Sequence, residues 1–337
     1  MGAPVTTVKV SYALSAPDAI AVAGTGVWVA NSRYEDGGRG WLTEISARTG
    51  ALIRVVAAQR YQLTDPEALA VDGSSLWVAD GNGDAVTEIN ATTGDLIRVI
   101  SGPRYQLNDP AAIAADVGSV WVASGDGDSL TQISARTGAL VRVITAARYR
   151  LDTTLYSPSV TAAANRVWVP DQNKDAVTEV NATSGALIRV ITDPRYQLNG
   201  PEAIAVAANR LWVINVNSLS VTEINATTGA LIRVIPSLPN APFAITADRY
   251  GAWVVTNLGE KAVDGSRPDG SIAELSATSG QLIRDVYALP FRADNPGGAI
   301  TADGGHVWVT DTGFYSHRGW VAELSAATGA LIRVVAR

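Results

Sequence analysis

The chain has 337 residues, 47% of them hydrophobic, 17% charged, and a formal net charge of −6. That apolar content excludes a disordered chain. The acid excess argues against a nucleic-acid partner, and the absence of cysteine excludes disulfides, thiolate catalysis and Cys-based zinc sites. No apolar run is long enough for a transmembrane helix or a signal peptide, so no membrane partner and a cytoplasmic location are expected. Only Lys9, Lys174 and Lys261 represent lysine among 26 basic residues, which together with abundant alanine suggests a high-GC bacterial genome.

From the N-terminus, a leader (residues 1–16) precedes seven similar segments, each marked by a Trp followed by Val: Trp28, Trp77, Trp121, Trp168, Trp212, Trp253 and Trp308, spaced 41 to 55 residues apart. The second copy runs PEALAVD, SLWVAD, AVTEIN and DLIRVI, divided by short polar turns. Segments of five or six residues rich in Val, Ile and Leu and bounded by Gly, Asn, Asp or Pro are strands. Four antiparallel strands per unit of about 45 residues is the signature of a propeller blade. The sequence therefore predicts an all-β, seven-bladed β-propeller forming one domain over 1–337, with blades at approximately 17–56, 65–100, 109–145, 158–192, 200–235, 242–287 and 298–336.

Within strand B, as in Val27-Trp28-Val29, alternation turns Trp to one neighbouring blade and Val to the other, so the seven Trp are read as inter-blade core rather than a stacking platform. The series Glu44, Glu88, Glu179, Glu223, Glu274 and Glu323, broken by Gln132, is expected to pair across the outer hairpin with Arg54, Arg98, Arg142, Arg189, Arg233, Arg284 and Arg333. Those pairs would also charge the outermost strand against edge association. The Asn-Ala-Thr triplets at Asn90, Asn181 and Asn225 read as turns rather than glycosylation acceptors. The Arg-Tyr pairs at 60–61, 104–105, 148–149 and 195–196 read as blade caps rather than a recognition rim. The last copy has its own fourth strand, so the ring needs no borrowed strand; the leader, whose Leu14 matches Leu63, is expected to seal the first–last junction.

The pattern Pro-x-Ala-Ile-Ala-Val, Leu-Trp-Val-Ala-Asp, Val-Thr-Glu-Ile-Asn and Thr-Gly-x-Leu-Ile-Arg-Val-Ile resembles the YVTN and NHL propeller repeats over all seven copies. That resemblance implies the propeller fold and admits binding modules as well as lyases and lactonases, so function has to come from a site. The near-identical copies look like the recognition domains of larger receptor-like proteins.

Three loops between strands B and C break the repeat, in copies one, six and seven, which are consecutive around a closed ring. They carry Tyr34, Trp41, Phe314, Tyr315, His317 and Trp320, which form the candidate ligand-binding cluster on the top face. Asp18, Glu67 and Glu202 begin strand A, and Asp80, Asp171 and Asp311 end strand B, together with Asn31, Ser124, Asn215 and Asn257. This oxygen-rich ring at the central funnel suits a hard cation such as Ca²⁺ if it binds a metal. The favoured function is a non-catalytic binding or scaffold propeller, acting as a monomer on a protein, small-molecule or glycan ligand. The alternatives are a lyase or lactonase-like enzyme using funnel carboxylates and His317, and a lectin.

Overall fold

A computed structural model describes residues 6–9, 14–32, 39–57, 59–116, 118–126, 128–145, 149, 159–238, 240–257, 270–286, 298–312 and 319–336. Strand β1 (Thr6–Lys9) lies in the leader. Blade one is β2 (Pro17–Ala23), β3 (Gly26–Asn31), β4 (Trp41–Ser46) and β5 (Leu52–Val56). Blade two is β6 (Pro66–Asp72), β7 (Ser75–Asp80), β8 (Ala85–Asn90) and β9 (Leu96–Ser101). Blade three is β10 (Pro110–Asp116), β11 (Ser119–Ser124), β12 (Ser129–Ser134) and β13 (Leu140–Thr145). Blade four is β14 (Thr161–Ala163), β15 (Arg166–Asp171), β16 (Ala176–Asn181) and β17 (Leu187–Ile191). Blade five is β18 (Pro201–Ala207), β19 (Arg210–Asn215), β20 (Ser220–Asn225) and β21 (Leu231–Ile235). Blade six is β22 (Ala241–Ala247), β23 (Gly251–Asn257), β24 (Ser271–Ser276) and β25 (Leu282–Val286). Blade seven is β26 (Ile300–Ala302), β27 (His306–Asp311), β28 (Trp320–Ser325) and β29 (Leu331–Ala336).

Each blade is an antiparallel meander whose four successive strands, A to D, pair in sequence order. The seven A strands touch one another in a closed ring, β2 meeting both β6 and β26, so A is innermost and D outermost. The fold is a seven-bladed β-propeller.

Blades are held together by strand B. Trp28 packs with Leu76, Val78 and Ile89 of the next blade, and Trp308 with Val27, Val29 and Ile45 of blade one. All seven Trp are buried at 2% exposure or less, so they are inter-blade core, as alternation along the strand requires. Leu14 lies in the same cluster as Trp308, so the leader does seal the first–last junction. Beyond it, β1 adds to blade seven as a fifth strand parallel to β29, with Thr6 opposite Arg333 and Lys9 opposite Ala336.

A second set of contacts runs around the rim. In blade one the Arg54 Nε lies 2.5 Å from Glu44 Oε2, while Nη2 donates to Thr92 O of blade two at 2.9 Å. The same bridge to the next blade's turn recurs at Arg98, Arg142, Arg189, Arg233, Arg284 and Arg333. These guanidiniums lie across the inter-blade gap rather than standing guard on the outer edge, which corrects the expectation that they shield it. Gly94, in that turn, has φ +76, and a Cβ there would sit 2.7 Å from Arg54 Cδ, so only glycine fits. Tyr61, beneath its Arg60 cation, donates its hydroxyl to Gly94 O at 2.8 Å, and Tyr105, Tyr149 and Tyr196 repeat the bond. The Arg-Tyr motif is structural, and each Tyr caps the blade whose strand A it precedes. Asn90 Oδ1 accepts from the backbone of Thr92 and Thr93, and Asn181 and Asn225 do likewise with the residues that follow them, so these triplets are turns.

Candidate functional site

The face on which strand A begins and strand B ends is the top face. There the A–B pairing slips between Pro17 and Ala19 and between Pro66 and Ala68. Asp18 and Glu67 are therefore β-bulge residues, a geometry that re-aims side chains out of the ladder. The chain before Pro66 and before Pro17 is pinned to the end of strand B. Asp80 Oδ2 and Oδ1 accept the backbone N–H groups of Thr64 and Asp65 at 2.7 and 2.6 Å, and Asn31 accepts that of Ser15 at 3.1 Å.

An acidic mouth lies over blades one to three. Glu67 is pushed up to about 8 by burial, then by the charges of Asp109, Asp65, Asp18 and Asp80. Burial lifts Asp18 to about 7, with the Ser32 hydroxyl opposing and Asp65 adding. Asp109 is raised by burial, then by Asp126, Asp65 and Asp84. The two glycines that end strand B in blades two and three make room for these carboxylates. A Cβ on Gly81 would lie 2.4 Å from Glu67 Oε1 and 2.7 Å from Asp109 Oδ1, and one on Gly125 would lie 2.8 Å from Asp109 Oδ2. Asp109 itself holds φ +54, a left-handed conformation uncommon for a non-glycine residue. Among the described residues, no Lys or Arg forms an ion pair with Asp18, Asp65, Glu67 or Asp109.

The structure thus brings Asp18, Glu67 and Asp80 together and adds Asp65 and Asp109, which the repeat analysis passed over. Their signal in the sequence is the Asp-Pro step that opens strand A in these two blades (Asp65-Pro66, Asp109-Pro110). Glu202 is raised to about 7 by burial alone, with Gln172 Nε2 at 3.4 Å. Asp171 is buried and lies 3.2 Å from Lys174 Nζ, and Asp311 is buried at 1% exposure. Asp80, Asp171 and Asp311 are all buried at the strand-B end. Among the described residues no three His, Asp or Glu side chains are arranged to hold a metal ion.

Of the aromatic cluster, Tyr34, Phe314, Tyr315 and His317 lie outside the described residues. Trp41 opens β4 and is partly exposed on the top face, opposite Asn31 in register. Trp320, expected outside the core, is buried at 5% exposure in the cluster that holds Trp253, Val255 and Ala322. His306 starts strand B at the opposite end of the blade, with Nε2 3.6 Å from Glu323 Oε1, so it takes no part in the mouth.

No protein-family model matches the chain, and no curated protein matches it in sequence. Among solved structures it is similar to the computationally designed Ika8 protein, with a TM-score of 0.67 at 15% identity, covering 98% of this chain and 90% of that one. It is also similar to U3-55K, with a TM-score of 0.66 at 11% identity and 89% of each chain covered. The WD40 repeats of RRP9 match with a TM-score of 0.66 at 10% identity, over 89% of this chain and 88% of that one. At such identities the likeness concerns the fold.

Proposed function

We propose that this propeller is a protein-binding scaffold whose top face receives a basic segment of its partner at the mouth over blades one to three. The carrying observation is Glu67, held among four other carboxylates with no lysine or arginine of the described chain paired to it. An arginine or lysine of a partner would relieve that repulsion and gain charge-assisted hydrogen bonds in a partly desolvated site. The similarity to WD40-repeat propellers is compatible with a protein-binding scaffold. Trp41, on the same face, offers the aromatic contact that interface centres favour. No metal is needed in this reading.

Titration with an oligoarginine peptide tests it. Binding that weakens with salt and is lost in Glu67→Gln/Asp109→Asn supports the assignment. Failure to bind, or binding indifferent to those substitutions, overturns it. Turnover abolished by His317→Ala would replace it with the lyase or lactonase alternative, and glycan binding with the lectin alternative.

A further inference from the structure

The outer edge of the ring repeats one sequence seven times, Leu-Ile-Arg-Val or a close variant, and the chain itself fills that edge once. Strand β1 runs parallel to β29 over four register pairs, Thr6 to Arg333 through Lys9 to Ala336. Among the described residues no further strand pairs with the other six D strands. On them Ile53, Ile97, Val141, Ile232 and Ile283 are between 36% and 47% exposed. Val55 on β5 is 41% exposed, while its equivalent Val334 on β29 is 1% exposed. Open edges bearing β-branched side chains are templates for another strand.

We propose that the outer edges of blades one to five are acceptor sites for strand addition, and that the occupant is an extended, β-branched segment of a partner protein running parallel to strand D, of the Val-Thr-Thr-Val-Lys-Val kind found in the leader.

Three observations carry this. The first is that the edge is shown to accept a strand, because β1 does so on the same Leu-Ile-Arg-Val sequence. The second is that addition disturbs nothing in the rim. With β1 in place, Arg333 still pairs with Glu323 and still donates Nη2 to Arg48 O at 3.0 Å, the contacts that Arg54 makes with Glu44 and Thr92 O on an open edge. The arginine that would be the natural edge guard is turned into the inter-blade gap in both states, and its side chain falls from 29% exposed at Arg54 to 14% at Arg333. The third is that the edges are not equal. Blade six replaces the Val of Leu-Ile-Arg-Val with Asp285, placing a carboxylate in the outermost strand, one of the devices that close an edge. It is therefore excluded from the acceptor set. Main-chain hydrogen bonds would supply affinity and the exposed Ile and Val the side-chain fit, as in other strand-addition modes. This site is on the rim, separate from the acidic mouth, and stands or falls independently of it.

The test uses the full chain and a synthetic peptide of residues 4–11, blocked at both ends. Hydrogen exchange is read along all seven D strands, with peptide binding followed by fluorescence anisotropy. Two further peptides carry backbone N-methyl groups, one at Thr6 and Val8 and the other at Thr7 and Lys9. Successive amides point to opposite sides of a strand, so only one of the two should lose its ladder. The expected result is slowed exchange in β5, β9, β13, β17 and β21 but not β25, more than one peptide per chain, and one methylated peptide weaker by about tenfold or more. Absence of binding, protection confined to β29, or equal binding by both methylated peptides and the parent would overturn the proposal.

Discussion

Arg333 donates its Nη2 to the backbone carbonyl of Arg48 at 3.0 Å, a bond that joins the last strand of the chain to the first blade across 285 positions of sequence. It is the seventh member of a girdle in which each D-strand arginine grips the turn of the next blade. Ring closure is thus achieved by the repeat's own chemistry, applied once more between the two ends. The β1 strand and Leu14 reinforce the same region from the outer edge and from the core.

Deleting residues 1–12 should therefore lower the melting temperature, because β29 loses its parallel neighbour β1, while the ring still closes through Arg333. An unchanged melting temperature would show that β1 adds nothing to stability.

Blade three offers a gain rather than a loss. Gln132 Nε2 donates to Ser119 Oγ at 2.9 Å and to Ala182 O at 2.8 Å, where the other blades place a glutamate against arginine. Gln132→Glu should recreate blade two, in which Ser75 Oγ donates to Glu88 Oε1 at 2.7 Å and Arg98 Nε lies 2.7 Å from Glu88 Oε2. Ala182 O would then be left for the indole of Trp121, as Ala91 O serves Trp28 at 3.3 Å. The expected change is a stabilisation of up to about 1 kcal/mol by denaturant unfolding. A destabilisation of about 3 kcal/mol would instead mark an uncompensated buried carboxylate.

Trp121→Ala should cost about 3–5 kcal/mol through the cavity it leaves. Trp320→Ala should also destabilise substantially, since that ring is buried at 5% exposure. Trp41→Ala should cost least of the three, because its ring is partly exposed. Chemical denaturation of the three variants checks the order, and a Trp320→Ala protein as stable as the parent would return that residue to the surface.

The acidic mouth sets a pH dependence. Glu67 titrates near 8 in the folded chain against an ordinary 4.5, so the folded state holds more protons than the unfolded one between those values. Its contribution is fully present below about pH 4.5 and is lost as the pH rises through 8. Glu67→Gln should remove that part of the decline, making the variant gain on the parent as the pH is raised from 5 to 9. Parallel melting curves for the two proteins across that range would refute the assignment. A basic peptide should bind more tightly as the pH rises over the same interval, releasing a proton as it binds.

Tyr61→Phe deletes the hydroxyl that reaches Gly94 O at 2.8 Å and should cost about 1 kcal/mol, because a buried carbonyl of blade two loses its donor from the segment that leads into that blade. An unaltered unfolding midpoint would show that the Arg54 bridge alone holds the turn.

The strands, the blade count and the Trp core are written in the chain's local pattern. Apolar period, turn residues and repeat spacing are local quantities, and seven copies reinforce one another. Even the turn role of Asn90 and the positive φ of Gly94 were legible, since both depend on residues two to four positions apart. The contacts between blades are not written there. Arg54 was legible as the partner of Glu44, but that it also serves the following blade depends on how neighbouring blades face each other. Asp80 looked like funnel lining because the alternating pattern puts it at the strand end. In the fold it is buried and spends its oxygens on Thr64 and Asp65. The mouth itself joins Asp18, Glu67 and Asp109 from three blades. Long-range electrostatics depend on distances that no repeat period encodes, so their convergence, and the raised carboxyl of Glu67 that follows from it, had to come from the folded ring.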